Sequence, residues 1–294
     1  MMKHIYKNLF LFIYLLICSL FWQGCNIHHE QTPTYIHIDS FAFKGNSLFP
    51  NVTKSHQINT VWVYYNNNPV GVFDLPATFP IMTNGAGVTG KLELSAGVSV
   101  NGQNDELSGY PFYVFDTSTF VSQPGKVIYH QPTTEFFDKV KITSISDFEG
   151  ATHFSLWSPG GNIPMTIVND DSLLFEGGYS GSILLSSPAD SSVDSTIIPF
   201  AIPSGVSTFI EFDYKCSVPF YVGIQANQGT IISTTPFYLT GVNTSDHWQK
   251  FYLSVANFAA QYPATNYNLY IKTYLPPGYT RGRVLLDNIQ LVTF

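Results

Sequence analysis

From Tyr35 onward the apolar positions recur with a period of two rather than 3.6, which predicts strands whose successive side chains point to opposite faces. Tyr35-Ile36-His37-Ile38-Asp39-Ser40-Phe41-Ala42-Phe43 alternates in its second half, and residues 58–65 (INTVWVYY) are β-branched and aromatic. Asn66-Asn67-Asn68-Pro69 interrupts that run and Val70-Gly71-Val72-Phe73 resumes it, the signature of a hairpin. Lys91-Leu92-Glu93-Leu94 and Gly97-Val98-Ser99-Val100 alternate again before Asn101-Gly102, a tight-turn dipeptide. Residues 110–115 (YPFYVF) and 126–129 (KVIY) complete the series, which contains no ten-residue helical pattern. Short strands with frequent turn signals predict a small β-sandwich over residues 35–142, from which residues 136–145 (FFDKVKITSI) lead out in extended form.

A second pattern opens with Asp147-Phe148-Glu149-Gly150 and Trp157. Residues 176–185 (EGGYSGSILL) form a glycine-rich turn into a strand, and residues 209–215 (FIEFDYK) and 247–253 (HWQKFYL) alternate. The last strand, residues 284–292 (VLLDNIQLV), places Val284 and Leu286 on one parity and Ile289 and Leu291 on the other. A simple pleat cannot bury all four on one side. Either both faces are covered, or a one-residue bulge lies at Asp287-Asn288 and aims the Asp287 carboxylate away from the ladder.

These residues carry two resemblances. Residues 60–64 (TVWVY), 71–78 (GVFDLPAT), 97–102 (GVSVNG) and 110–113 (YPFY) resemble an N-terminal unit of Bacteroidota-type two-domain lipoproteins. The segment is also similar to immunoglobulin-like sandwiches of the PEGA and transthyretin type. This implies a surface spacer or binding unit without known chemistry. The landmarks from residue 147 to 292 resemble jelly-roll modules of galactose-binding-like fold, several carbohydrate-binding families among them. The implied fold class is all-β, an immunoglobulin-like/PEGA-like β-sandwich followed by a β-jelly roll over residues 143–294. Such a fold carries many activities and does not name a ligand. Modules of this kind often hold a structural calcium ion where the first and last strands meet, and the matching positions here are Glu149 and Asp287, with Asp147 as a third. Calcium takes six to eight oxygens, which these carboxylates and nearby carbonyls would supply. In the plain alternative, Glu149 bonds to backbone and Asp287 faces water.

Ahead of the strands, Lys3 and Lys7 precede an uncharged apolar run of thirteen residues, 9–21 (LFLFIYLLICSLF). As a helix it would span only about 20 Å, against roughly 30 Å of bilayer core, so residues 1–24 read as a secretory signal. Trp22-Gln23-Gly24-Cys25 resembles the lipobox of bacterial lipoproteins, with Trp22 where that family usually has Leu. The resemblance makes Cys25 the lipidated first residue; ordinary cleavage and an uncleaved anchor are the alternatives. Residues 25–34 form a polar tether, and Asn26 after the cysteine favours the outer membrane. With Cys18 in the signal and Cys25 lipidated, Cys216 stands alone, so no disulfide framework is expected. Its apolar setting predicts a small buried hydrophobe.

The formal charge is −7, with only 11% charged residues and no basic cluster, which argues against nucleic acid as a partner. Hydroxyls and amides must supply the polar surface, beside 24 Phe, 18 Tyr and 4 Trp. That mixture suits neutral sugars and equally suits a β-protein with no ligand. Sugar recognition needs flat aromatic faces for the C–H face of a pyranose and directional groups at their rims. The candidates are Trp157, Tyr179, Tyr221, Trp248 and Tyr252, with Gln225, Asn227 and Gln249 as rim groups. Phe251 and Leu253 read as core, which assigns Trp248 and Tyr252 to the opposite, concave surface. No phosphate loop, Gly-x-Ser-x-Gly elbow or zinc-binding helix occurs, and no catalytic residue is predicted. The leading expectation is a lipid-anchored, non-catalytic protein whose jelly roll binds a neutral glycan. The competing one is an assembly protein that docks on envelope partners. A covered Trp248/Tyr252 face together with an apolar patch elsewhere would favour the second.

Overall fold

The computed structural model describes residues 31–102, 107–157, 160–227 and 235–294; the expected signal segment and Cys25 lie outside the described residues. The N-terminal half holds β1 (Thr34–Ile38), β2 (Ala42–Phe43), β3 (Thr60–Tyr65), β4 (Asn68–Asp74), β5 (Ala77–Ile81), β6 (Thr89–Ser99), β7 (Leu107–Gly109), β8 (Asp116–Val121), β9 (Val127–Tyr129) and β10 (Thr133–Thr134). One sheet runs β4-β3-β6-β7 with β8 also on β6, a second runs β5-β1-β9, and β2 pairs with β10. Asn66 and Asn67 both adopt left-handed φ (48° and 61°), so the β3–β4 turn occupies only two residues. Residues 110–115, expected as a strand, are irregular. Tyr110, Phe112 and Tyr113 are instead buried plugs whose rings pack against one another.

In the C-terminal half β11 (Lys141–Ser146), β13 (Thr166–Val168), β14 (Ser180–Leu185), β16 (Thr208–Cys216), β19 (Ser245–Ser254) and β21 (Gly282–Thr293) form one sheet. Its order is β13-β14-β21-β16-β19, with β11 beside β21. Opposite it, β12 (Phe154–Leu156), β15 (Ser191–Thr196), β17 (Phe220–Asn227), β18 (Phe237–Val242) and β20 (Asn266–Tyr274) run in the order β12-β15-β20-β17-β18. A short helix, α1 (Ala256–Gln261), follows β19. The two inner faces enclose a core that includes Ile210, Phe212, Val222, Ile224, Leu269 and Ile271. The fold is thus an all-β pair of sandwiches, the second a jelly roll. Each such side chain contributes roughly 1.5–3 kcal/mol when fully buried.

The parity conflict in the last strand resolves as a bulge. Glu211 pairs with Gln290 and Asp213 with Asp287, so β21 carries one extra residue there, and Asn288 takes a left-handed φ of 47°. The bulge returns Val284, Leu286, Ile289 and Leu291 to one core. Asp287 is buried, accepting bonds from Ser180 Oγ and the Asn288 N–H, each at 2.8 Å. Burial pushes its carboxyl up to about 7.

β16 alternates Phe209, Glu211 and Asp213 outward with Ile210, Phe212 and Tyr214 inward, which by itself reads as a solvated outer face. Instead Glu211 and Asp213 are 0% exposed, because the N-terminal sandwich lies on that face. The Lys250 ammonium sits between them, 3.3 Å from Glu211 Oε2 and 3.8 Å from Asp213 Oδ2. Tyr110 donates its hydroxyl to Glu211, and Gln290 Nε2 donates to the other oxygen at 2.9 Å. Ser55 Oγ donates to Asp213 at 2.5 Å and Asn288 Nδ2 at 3.1 Å. Desolvation, followed by the charge of Glu211, holds the Tyr110 hydroxyl far above its ordinary value, so it remains a donor. Around the charges Tyr110 packs on Tyr113, Tyr252 and Phe209 at 4.6–5.2 Å. Backbone bonds close the edge: Gln57 N donates to Tyr252 Oη, Lys250 N to Gln57 Oε1, and Ser254 N to Asn101 Oδ1.

Lys250→Met leaves two buried carboxylates uncompensated and is expected to lower unfolding free energy by about 3–5 kcal/mol. Replacing Glu211, Asp213 and Lys250 together by Gln, Asn and Met should cost less; equal losses in chemical denaturation would contradict this pairing. For Asp287 the folded pKa exceeds the unfolded value of ~3.9, so the folded state binds the extra proton between these pH values. Stability from this group is complete below about pH 4 and is lost as pH rises through about 7. The Tm of Asp287→Asn should therefore fall less than that of the parent over that window, and parallel profiles would exclude the raised pKa.

Candidate functional site

The outer face of the β12-β15-β20-β17-β18 sheet is built by two alternations. On β17, Phe220, Val222, Ile224 and Ala226 enter the core and Tyr221, Gly223, Gln225 and Asn227 point out. On β20, Tyr267, Leu269 and Ile271 enter the core while Asn268, Tyr270, Lys272 and Tyr274 point out. Register places Tyr221 opposite Lys272, Gly223 opposite Tyr270 and Gln225 opposite Asn268. The Tyr221 and Tyr274 rings lie nearly parallel, 14° apart with centroids at 6.2 Å and hydroxyl oxygens at 3.4 Å. Tyr238 of β18 meets Tyr221 edge-on at 6.3 Å, and Lys272 Nζ sits 5.1 Å from the Tyr238 centroid. Gly223 makes room for that ring, since a Cβ there would stand 3.0 Å from both Tyr238 Cδ1 and Phe237 O. Tyr238 and Tyr274, on the strands either side of Tyr221, are 38% and 41% exposed.

Amides flank these rings in fixed orientations. Tyr270 donates its hydroxyl to Gln225 Oε1, and Trp157 meets the Tyr270 ring edge-on at 5.8 Å. Asn227 Nδ2 donates to Asn268 Oδ1 at 2.6 Å, and Asn268 Nδ2 donates to Thr196 O at 2.6 Å. Burial raises the Tyr270 and Tyr238 hydroxyls above their ordinary value, so both remain neutral donors. This surface offers ring faces, amides and hydroxyls with a single nearby cation. It suits the stacking and hydrogen bonding of uncharged polyols.

Of the residues predicted from sequence, Trp157, Tyr221, Gln225 and Asn227 share this face. The others do not join them. Tyr252 is 1% exposed inside the interface between the sandwiches, so it is no platform, and the face assigned to it and Trp248 is covered at Tyr252. Trp248 is half-buried beside Phe175, ring centroids 5.2 Å apart, in a cleft of about 420 Å³ shared with Lys54 and His56. Gln249 accepts from the Tyr214 hydroxyl at 3.2 Å, and Tyr179 is exposed on the glycine turn before β14. The expected calcium carboxylates do not converge. Glu149 accepts from the Gly178 and Tyr179 N–H groups at 2.9 and 3.2 Å, and Asp147 accepts from the Glu149 N–H. Asp287 is turned to Ser180, and among the described residues no group of three His, Cys, Asp or Glu could hold a metal ion. Cys216 is buried, and desolvation pushes its thiol up to about 11. Tyr238, Tyr270, Tyr274 and Asn268 were missed, although the period-two alternation of residues 266–274 carried the signal for three of them.

No family model and no curated protein matches the chain. Solved carbohydrate-binding modules are similar over about half of it. One is a family 29 module from Piromyces equi, at 12% identity over 53% of this chain and 92% of its own, TM-score 0.35. Another is the family 11 module of the cellulosomal cellulase Lic26A-Cel5E of Clostridium thermocellum, at 15% identity over 52% and 95%, TM-score 0.36. A third is TmCBM61 in complex with beta-1,4-galactotriose, at 11% identity over 53% and 88%, TM-score 0.31. At these scores the jelly-roll assignment rests on the chain's own strand order.

Proposed function

We propose that this protein is an exported, lipid-anchored, non-catalytic binding protein whose jelly roll takes a neutral glycan. The observation that carries the reading is the ring pair of half-buried Tyr221 and exposed Tyr274, with exposed Tyr238 beside Tyr221 and the amides of Gln225, Asn227 and Asn268 fixed along the same face. Two nearly parallel rings with centroids 6.2 Å apart offer a stacking surface for sugar C–H faces. The amides choose hydroxyls by direction, and their mutual bonds reduce the ordering cost of binding. Anchoring is supported by the basic start, the apolar run and the Gly24-Cys25 junction. Two or more acyl chains on one terminus would meet the requirement for stable attachment, and Asn26 supports an outer-membrane address.

A second reading, assembly with envelope proteins, has its own observation. The jelly roll is covered at Tyr252, and the outer face of β5-β1-β9 exposes Tyr35 (36%), Val127 (48%) and Tyr129 (76%), with Met82 (53%) just past the end of β5. This apolar surface lies on the sheet nearest the tether and fits a protein partner.

Screening the full chain on a glycan array, followed by calorimetry, separates the two. Tyr221→Ala with Tyr274→Ala should weaken neutral-glycan binding at least tenfold, about 1.4 kcal/mol or more, with unchanged Tm. Absence of any neutral-glycan ligand, alongside specific capture of an envelope protein lost on Tyr129→Ser, would replace the glycan reading with assembly. In cells, Cys25→Ala should abolish incorporation of labelled palmitate; unchanged labelling would remove the anchor.

A further inference from the structure

The N-terminal sandwich covers only part of the outer face of the β13-β14-β21-β16-β19 sheet. It seals Glu211, Asp213, Lys250 and Tyr252 and leaves uncovered the end of the sheet that carries Lys215 and Arg283. There the surface sinks into a cleft of about 620 Å³, within the size range of small-molecule sites. Leu285 is its buried apolar floor, and Leu173 of the 3-10 turn Asp171–Leu173 adds a second apolar contact. Thr244, His247, Ser217 and Gln249 add hydroxyl, imidazole and amide groups.

The placement of charge is the informative feature. Lys215 stands opposite Leu285, and Arg283 lies two residues along β21 on the same face. That diagonal puts the two backbones about 7–8 Å apart. Among the described residues neither side chain forms an ion pair within 4 Å, unlike Lys91 and Lys250. Asp246 also lines the cleft, bonded to His247 and within electrostatic reach of Lys215, and Asp170, bonded to Ser172, lies within electrostatic reach of Arg283. In a chain of net charge −7 with only 13 Lys and Arg, Lys215 and Arg283 outnumber the one carboxylate, Asp246, that lines this ligand-sized hollow with them. An arginine fork matches a carboxylate in two parallel bonds, and a neighbouring ammonium adds point charge.

We propose that this cleft binds a carboxylate-bearing saccharide, a uronic acid unit, independently of the neutral-glycan face on the opposite sheet. The carboxylate bridges Arg283 and Lys215, the ring's C–H face lies on Leu285 and Leu173, and hydroxyls reach Thr244 and Ser217. A fatty acid would need a longer apolar channel, and an inorganic anion would leave the apolar floor unused.

The test titrates the full chain in detergent with trigalacturonate, with galactotriose and with inorganic phosphate. Trigalacturonate should bind, and its affinity should fall at least tenfold in Lys215→Gln/Arg283→Gln. Binding should also weaken as salt rises and stay unchanged in Tyr221→Ala. Arg283→Lys should retain part of the affinity, which separates lost charge from lost fold, and circular dichroism checks the fold of the double variant. No binding of trigalacturonate, undiminished binding in the double variant, or equal competition by phosphate would each overturn the assignment.

Discussion

Two carboxylates and one ammonium buried between two sandwiches set the shape of this molecule. An isolated ion taken out of water costs several kcal/mol even after relaxation, so Glu211 and Asp213 persist there because the Lys250 charge lies between them and each of their oxygens accepts a hydrogen bond. Those partners come from both halves: Tyr110 and Ser55 from the first, Gln290 and Asn288 from the second. Sliding one sandwich over the other would strand the charges. The interface is therefore held in one orientation by polar requirements inside an aromatic collar of Tyr110, Tyr113, Tyr252 and Phe209.

That orientation decides what remains for ligands. The first sandwich takes the middle of one jelly-roll sheet out of play and leaves the outer face of the other sheet free. The free face is uncharged apart from Lys272 and rich in ring surface. The uncovered end of the capped sheet has an apolar floor and two cations beside the single carboxylate of Asp246. The two surfaces differ in chemistry, and they lie on opposite sides of one core, so occupancy of one need not obstruct the other.

Much of the fold was legible because strands write their faces at period two. The β3–β4 hairpin, the strands of the second half and the bulge at Asp287-Asn288 follow from alternation, turn residues and a parity conflict. The interface was not legible for the same reason. Glu211, Asp213 and Lys250 occupy the polar positions of their strands, and local pattern cannot distinguish water from a second domain as what lies outside. Tyr252 was misplaced by that same rule, since the outer face it occupies is covered. Residues 110–115 combine aromatic residues with Pro111 and imitate a strand, yet they serve as an irregular plug. The site was half legible. Tyr221 and Gln225 could be named, whereas pairing β17 with β20 is a long-range fact that brings Tyr274 beside Tyr221. Residue type alone also does not reveal that Glu149 is already satisfied by two backbone amides and Asp287 by Ser180.

Hydroxyl-radical footprinting of the intact chain, read by mass spectrometry at each tyrosine, tests the arrangement most directly. If the buried charge cluster joins the sandwiches as described, Tyr110, Tyr113 and Tyr252 stay protected while Tyr238 and Tyr274 are oxidised readily. Oxidation of Tyr252 at the rate of Tyr274 in the folded protein would mean that the capped face is open, and the account would fall.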